Sequence, residues 1–202
     1  ESYIADGYIV TASGNSNYPY KVVATHTCDG VTYDKPLDSS FKGGTLASGN
    51  YYLTEDINLT NTIEISAGSD VKICLNGKNI TGQRIDNNGT LNLNNCDNAK
   101  GSISRYWGKS SSVLNGNAVI DSDDYSEIYD TSKINGCTFN GDVYCVYSSE
   151  ISGGTFNAEV RCYNSSVITG GTFNAKVYCY NSSVITGGYF GGQAGITIGN
   201  TR

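Results

Sequence analysis

Two consecutive stretches of the sequence decide the fold: GGTFNAEVRCYNSSVIT at residues 153–169 and GGTFNAKVYCYNSSVIT at residues 170–186. They differ at only two of 17 positions, and residues 187–190 begin a further copy. A more divergent copy starts upstream at residues 136–140, GCTFN. Because an internal repeat of fixed period determines an architecture before any other sequence signal, the period of 17 residues is the starting point.

The repeat places apolar residues in columns, and within each copy these residues alternate with polar ones. Such alternation is typical of short β-strands with one buried face, so we expect the columns to point inward. The Gly-Gly and Asn-Ser-Ser stretches supply the corners between the strands. The four columns are Phe139, Phe156, Phe173 and Phe190; Cys145, Cys162 and Cys179; Ile134, Ile151, Ile168 and Ile185; and Val143, Val160 and Val177.

The length of the repeat favours a β-solenoid. Paired-helix repeats need about 33 residues, whereas 17 residues carry an extended chain once around a narrow section at about 3.3 Å per residue. Successive coils then stack about 4.8 Å apart, and identical residues form ladders. The sequence therefore predicts an all-β, single-stranded parallel β-helix with short strands and coils of 17 to about 22 residues. It spans residues 43–202 and is most regular over residues 134–190.

The first part of the chain differs from the repeats. Tyr3 to Ala12 and Tyr20 to Thr27 alternate like two strands of a hairpin. Because an open solenoid end invites end-to-end stacking, it needs a cap, and residues 1–42 are predicted to be an N-terminal β-hairpin cap. The far end, towards Arg202, shows no capping signature. We therefore expect a monomeric module of a larger chain.

Composition excludes several classes of protein. Gly, Asn, Ser and Thr make up 88 of 202 residues, and Ile and Val outnumber Leu by 30 to 8, which argues against a helical bundle. The net charge of −6 disfavours a nucleic-acid partner. Apolar runs are too short for a membrane span. The polar, Lys-poor composition is typical of an extracellular or cell-surface protein.

Residues 49–57, GNYYLTEDI, and 73–82, ICLNGKNITG, resemble the opening of right-handed β-helix repeat proteins. These are pectate-lyase-like modules, common in large surface proteins of Gram-positive bacteria. The resemblance covers residues 43–202 and is more specific for the fold than for an activity. It implies right-handed coiling and an extracellular or cell-wall location.

Seven cysteines leave at least one unpaired. The chain has no CxxC motif and only one His, His26, so the spacing argues against a zinc site. We interpret the column of Cys145, Cys162 and Cys179 as packing rather than a metal or redox array, because a buried Cys behaves as a small apolar residue. Cys74 and Cys96 lie about one coil apart, and a disulfide between them depends on side-chain direction.

Catalytic groups are sparse. The Asn-Thr-Asp, Asp-Asp, Gly-His-Gly and Arg-Ile-Lys elements of polygalacturonase-like enzymes do not occur as a set. Calcium-dependent lyase chemistry would need an acidic cluster and a base such as Arg105 or Lys133. Five acids lie close in sequence and either hold Ca²⁺ or, as we favour, form a solvated loop. These five acids are Asp121, Asp123, Asp124, Glu127 and Asp130. No catalytic residue, metal ligand or cofactor is predicted.

Exposed aromatic residues form the strongest candidate ligand-binding surface. Tyr144, Arg161 and Tyr178 occupy one outward column, and Tyr163 and Tyr180 occupy another. Aromatic rings beside Arg stack well on sugar rings and anchor protein partners. The alternative is that the tyrosines stack on one another and stabilise the sheet.

The leading functional hypothesis is a non-catalytic structural or adhesive β-solenoid module of a secreted or cell-wall-attached bacterial protein. Its expected partner is a carbohydrate or a host-surface protein, with no nucleic acid involved. The alternative hypothesis is a polysaccharide-active enzyme on the same fold, resembling a Ca²⁺-dependent lyase.

Overall fold

Short parallel strands make up nearly all of the structure, a computed structural model in which residues 7–12, 16–96, 99–192 and 194–199 are described. These residues contain 28 strands and no helix. In chain order the strands are β1 (Tyr8–Ala12), β2 (Tyr20–Ala24), β3 (His26–Cys28), β4 (Val31–Tyr33), β5 (Lys35–Leu37), β6 (Gly44–Leu46), β7 (Gly49–Leu53), β8 (Ile57–Leu59), β9 (Ile63–Ile65), β10 (Asp70–Cys74), β11 (Ile80–Gly82), β12 (Ile85–Asn87), β13 (Thr90–Asn94), β14 (Ser102–Ile103), β15 (Tyr106–Gly108), β16 (Val113–Gly116), β17 (Val119–Ile120), β18 (Tyr125–Ile128), β19 (Lys133–Phe139), β20 (Asp142–Cys145), β21 (Glu150–Phe156), β22 (Val160–Cys162), β23 (Val167–Ile168), β24 (Thr172–Phe173), β25 (Val177–Tyr180), β26 (Val184–Ile185), β27 (Tyr189–Phe190) and β28 (Ile196–Gly199).

The strands wind into a parallel β-solenoid. One sheet of nine strands runs in the order β6-β9-β12-β15-β18-β20-β22-β25-β28, and each turn of the chain contributes one strand to it. The remaining solenoid strands form a fifteen-stranded sheet that covers the other sides. Pairing is parallel throughout, for example Val143↔Val160 and Val160↔Val177. The predicted all-β parallel β-helix is therefore confirmed, with nine turns in the described residues.

The four predicted columns are ladders in the structure. Isoleucine, valine and cysteine columns are each in register between neighbouring strands. The phenylalanine rings stack almost parallel, with centroids 5.2, 4.9 and 5.0 Å apart from Phe139 to Phe190. All members are buried except Ile185 and Phe190, which lie in the last described coil and are partly exposed. The inward direction of the columns is thus confirmed.

The corners between strands use left-handed backbone conformations. Asn164 and Ser165 have φ of 54° and 66°, and Asn181 and Ser182 repeat this one coil later with 51° and 63°. L-residues rarely adopt this region, although Asn tolerates it better than most. The next residue, Ser166, turns inward, and its hydroxyl donates to the Tyr163 carbonyl oxygen at 2.8 Å. The Asn-Ser-Ser stretches therefore form corners, as predicted.

Glycine at the Gly-Gly corner of each coil allows the backbones of successive coils to come into contact. A Cβ atom on Gly170 would lie 2.3 Å from the carbonyl oxygen of Ser152 in the preceding coil. The equivalent atom on Gly153 would lie 2.5 Å from the Asn135 carbonyl oxygen. Side chains are excluded here because the backbones themselves are in contact.

Two antiparallel pairs precede the solenoid. β1 pairs with β2, as the alternation predicts, and β3 pairs with β4. Parallel pairing begins with β5 against β7, so the ladder starts before residue 43, the predicted start of the β-helix. The predicted strand residues before Gly7 and the turn at residues 13–15 lie outside the described residues, as do residues 200–202.

Two apolar clusters are buried. The main cluster runs along the whole interior of the solenoid, from Leu37 to Cys179. A separate small cluster lies against the N-terminal turns and contains Cys28, Tyr33, Tyr52 and Cys74. Over the described part of the chain, no helix is long and apolar enough to cross a membrane.

Candidate functional site

The outward column predicted from the repeat lies on the nine-stranded sheet. Tyr144 in β20, Arg161 in β22 and Tyr178 in β25 are direct partners in adjacent parallel strands. Their chain neighbours in the valine and cysteine columns point into the interior. Because side chains alternate along a strand, these three point to the outside, where each is partly exposed.

Tyr163 and Tyr180 complete the surface beside this column. Their rings stack with centroids 5.3 Å apart and an interplanar angle of 22°. The rings of Tyr178 and Tyr180 are 6.2 Å apart at 10°. The structure thus joins all five predicted residues in one surface, which we call the tyrosine–arginine face: Tyr144, Arg161, Tyr163, Tyr178 and Tyr180.

Arg161 is fixed at the centre of this face. Its guanidinium lies over the ring of Tyr144 at 5.3 Å and over that of Tyr178 at 5.6 Å. It donates to the Tyr144 hydroxyl and pairs with the carboxylates of Asp142, at 3.4 Å, and Glu159. Partial burial acts to lower the pKa of Arg161, but Tyr144 and the two acids outweigh burial and raise it. The charge is therefore permanent and largely compensated within the face.

Three hydroxyl groups of the tyrosine–arginine face remain for a ligand. Within the part of the chain that the structure describes, those of Tyr163, Tyr178 and Tyr180 have no hydrogen-bond partner, and all three side chains are partly exposed. Burial raises the pKa of Tyr163, so its hydroxyl is protonated at neutral pH and both donates and accepts. The face can stack on a ligand and hydrogen-bond to it.

The same outward row extends into coils that the repeat did not reveal. Trp107 pairs with Glu127, which pairs with Tyr144, and Asp86 precedes Trp107 in the row. The guanidinium of Arg84 lies 3.7 Å from the Trp107 ring centroid. These coils are longer than 17 residues, so a gapless alignment does not reach them. The sequence signal that could have found this row is the alternation of buried and outward residues in β15, where Trp107 lies between Tyr106 and Gly108.

The acidic segment does not form a cluster. Asp124 Oδ2 pairs with Arg105 at 3.1 Å, Asp121 accepts from the Asn140 side chain at 3.0 Å, and Glu127 accepts from the Tyr129 hydroxyl. No three of these acids bring ligand atoms close together. Lys133, the other candidate base, pairs with Glu150 in the fifteen-stranded sheet at 2.7 Å. One candidate base, Arg105, therefore pairs with one of the acids, whereas Lys133 and the other acids named here have partners outside the segment's acid–base set.

A different group of side chains converges at the N-terminal turns. Among the described residues, this is the one set of three or more His, Cys, Asp or Glu side chains with closely spaced ligand atoms. It comprises His26, Cys28, Cys74 and Cys96. Cys74 and Cys96 are neighbours, as their spacing predicts, and both are free thiols. The four residues come from three separate segments, so sequence spacing could not group them.

Comparisons with known proteins assign neither a family nor a function to the chain. No family model, curated protein or solved structure matches it. The fold therefore rests on the observed strand register. The resemblance of residues 43–202 to pectate-lyase-like repeats stays a prediction, as do right-handed coiling and a Gram-positive surface origin.

The stability of the fold is expected to depend on pH through Asp86, whose carboxylate pairs with Arg84 at 2.5 Å and with Lys109 at 2.7 Å. Burial acts to raise the pKa of Asp86, but these two cations outweigh it and hold the pKa below its ordinary value. The ionised carboxylate therefore stabilises the fold above about pH 4, and this contribution is lost as pH falls through the lowered pKa. Asp86→Asn should lower the free energy of unfolding at pH 7 by about 1 kcal/mol.

Urea unfolding at pH 7 and at about pH 2, followed by Trp107 fluorescence and circular dichroism, measures this effect. The difference between the wild type and Asp86→Asn should shrink at the lower pH. Asp123→Asn, at an exposed carboxylate, is the control and should change little at either pH. An Asp86→Asn deficit of equal size at both pH values would show that the ion pairs are not its source.

Proposed function

We propose that the chain is a non-catalytic β-solenoid module of a secreted or cell-wall-attached bacterial protein, with a structural and adhesive role. In this proposal the tyrosine–arginine face binds carbohydrate. The observation that carries it is the set of three unpartnered tyrosine hydroxyls, Tyr163, Tyr178 and Tyr180, held beside one another on a parallel sheet.

The chemistry of the face suits an uncharged, hydroxyl-rich ligand. The charge of Arg161 is compensated by Asp142 and Glu159, so the face has little net attraction for an anionic polymer. Aromatic rings provide apolar contact, and phenol groups donate and accept hydrogen bonds. A rigid sheet also reduces the entropy lost when a ligand is bound.

Stacking between rungs is compatible with this role. Tyr163 and Tyr180 already face each other, which stabilises the sheet surface. Both side chains nevertheless stay partly exposed. We therefore assign stabilisation to the stacked faces and ligand contact to the edges and hydroxyls of the same residues.

The lyase alternative has less support. A Ca²⁺-dependent lyase requires carboxylates grouped around one cation, with a base nearby. The candidate base Arg105 does pair with Asp124, but Asp121 and Glu127 have other partners, so the carboxylates are not grouped around one position. We therefore do not assign catalysis to this segment.

Retention on glycan and host-protein arrays tests the proposal. The double variant Tyr163→Ala with Tyr178→Ala should lose at least about tenfold in retention, equivalent to about 1.4 kcal/mol. The double variant Tyr163→Phe with Tyr178→Phe keeps the rings and removes the hydroxyls. It should also be retained less on glycans than the wild type. Thermal unfolding of each variant checks that the fold persists.

Unchanged retention of the alanine variant would reject the face as a binding site. Retention on protein targets and not on glycans would show that the face binds a protein rather than carbohydrate. A polysaccharide panel, read by the ultraviolet absorbance of unsaturated products with and without Ca²⁺, addresses catalysis. Product formation that Asp121→Asn with Asp124→Asn abolishes would overturn the non-catalytic proposal.

A further inference from the structure

Stacking of the first coils brings four side chains from three segments to one place. His26 and Cys28 occupy alternate positions of β3 and therefore lie on the same side of that strand. Cys74 ends β10, and Cys96 follows β13, the parallel neighbour of β10. The second antiparallel pair, β3–β4, which we call the cap hairpin, thus contributes two of the four groups, and the solenoid contributes the other two.

The distances within this group fit a tetrahedral metal centre. The imidazole Nε2 of His26 is 2.9 Å from Cys96 Sγ and 3.3 Å from Cys74 Sγ. The two sulfur atoms are 3.4 Å apart, and all four ligand atoms lie within 4.8 Å of one another. In a tetrahedral zinc centre, Zn–S bonds of about 2.3 Å and Zn–N bonds of about 2.0 Å separate neighbouring ligand atoms by about 3.6 to 3.8 Å. The three distances, 2.9 to 3.4 Å, are shorter than these values, and no other separation in the group exceeds 4.8 Å, so small side-chain shifts would form the tetrahedron.

The types of ligand indicate which metal would bind. Three thiols and one imidazole are soft to intermediate donors, which suit Zn²⁺ and not Ca²⁺ or Mg²⁺. Four protein ligands complete the tetrahedron and leave no position for a substrate. This is the composition of a closed, structural zinc site rather than a catalytic one.

The surroundings are those of a structural site as well. Cys28 is 5% exposed, and Cys74 is fully buried. The ring of Tyr52 stacks on that of His26 at a centroid distance of 5.5 Å, and the ring of Tyr33 lies at 6.0 Å. His26 and Cys96 are partly exposed, so this packing limits rather than abolishes the access of water, and it holds the imidazole in place.

A single disulfide would explain the group less well. It would use two of the three thiols and leave the third in contact with the imidazole. The other four cysteines belong to the interior of the solenoid and lie in its main cluster. Three cysteines and one His gathered from separate segments therefore need a partner that accepts all four.

The β3–β4 hairpin is otherwise held to the solenoid by a small set of contacts, including hydrogen bonds from the Asn50 side chain to the Thr32 carbonyl oxygen at 2.8 Å and from the Asp34 amide to the Asn50 carbonyl oxygen at 3.2 Å. The hairpin consists of two three-residue strands, and only two of its residues, Cys28 and Tyr33, join the small buried cluster that lies apart from the main core. Two-stranded hairpins are marginally stable, and small units commonly depend on a metal or a disulfide. We propose that His26, Cys28, Cys74 and Cys96 bind one Zn²⁺ ion, which fastens the cap hairpin to the first coils of the solenoid.

Metal content of the whole chain tests this proposal. Protein produced with added Zn²⁺ and purified under reducing conditions should retain one zinc per chain after gel filtration, with a dissociation constant in the nanomolar range or below. Cys96→Ala and, separately, His26→Ala should each reduce bound zinc by at least tenfold. Cys179→Ala, at a buried cysteine outside the group, is the matched control and should keep one zinc.

Stability gives a second readout. A chelator should lower the thermal midpoint of the wild type and of Cys179→Ala, and leave that of Cys96→Ala unchanged, because only proteins that bind the metal lose its contribution. Co²⁺ in place of Zn²⁺ should give thiolate-to-metal absorption that Cys96→Ala removes.

Three results would overturn the proposal. The first is wild-type protein that retains no zinc under reducing conditions. The second is zinc that Cys96→Ala and His26→Ala both retain in full. The third is a Cys74–Cys96 or Cys28–Cys74 disulfide, detected by peptide mass spectrometry in air, that persists in protein saturated with zinc.

Discussion

Phe156→Ala is expected to destabilise the solenoid by about 3 to 5 kcal/mol. The Phe156 ring is 1% exposed and stacks on Phe139 at 5.2 Å and on Phe173 at 4.9 Å. Removing it leaves a cavity in the middle of a ladder, and the coils on either side cannot close it because their hydrogen bonds fix their separation. The loss combines buried apolar area with two ring contacts.

Urea unfolding followed by circular dichroism measures this loss as a shift of the midpoint. Phe190→Ala is the matched control, because Phe190 is partly exposed and stacks on a described ring only at Phe173. Its effect should be less than half as large. Equal effects at Phe156 and Phe190 would mean that the ladder does not stabilise the interior of the solenoid more than its end.

Gly170→Ala is expected to destabilise the fold by about 2 to 3 kcal/mol. The added Cβ would lie 2.3 Å from the Ser152 carbonyl oxygen, and a backbone atom cannot rotate away as a side chain does. The coils must separate locally, which lengthens the hydrogen bond from the Gly170 amide to the Ile151 carbonyl oxygen, now 3.3 Å.

The control for this substitution is Gly192→Ala. Nothing lies within 4 Å of a Cβ at Gly192, so the added methyl group should leave stability unchanged or raise it slightly by restricting the unfolded chain. Thermal and urea midpoints of the two variants provide the comparison. If Gly170→Ala unfolds at the wild-type midpoint, the backbone contact between coils is looser than the structure shows.

Much of the fold can be read from the sequence because the coils of the regular half stack in the same register as the repeats align. Phe139, Phe156 and Phe173 are 17 residues apart in the chain and direct neighbours in space. A gapless alignment is then equivalent to the strand register. The tyrosine–arginine face follows from the same equivalence.

The equivalence fails where coil length varies. Trp107, Glu127 and Asp86 continue the outward row, but extra residues at the corners shift their sequence spacing without disturbing the strands. The parallel ladder begins at β5, which contains Pro36 and lies within the predicted cap residues 1–42. Proline is tolerated in β5 because β5 is the edge strand of its sheet, where one row of amides has no strand to pair with.

The cluster of His26, Cys28, Cys74 and Cys96 was not predictable from spacing for a different reason. Its members share no period, and they meet only because an antiparallel hairpin folds against two stacked coils. The His-Thr-Cys segment of β3 and the one-coil separation of Cys74 and Cys96 were visible in the sequence. Only the three-dimensional packing shows that the two features coincide.

The near-identity of two neighbouring coils has a consequence for how such a chain changes over evolutionary time. Misaligned recombination between the gene segments for residues 153–169 and 170–186 would add or remove one whole coil, and so alter the rod by a step of about 4.8 Å. The two copies differ only by Glu159 against Lys176 and Arg161 against Tyr178. All four residues lie on the outside. Duplication therefore preserves the interior, while each new copy is free to acquire a different surface.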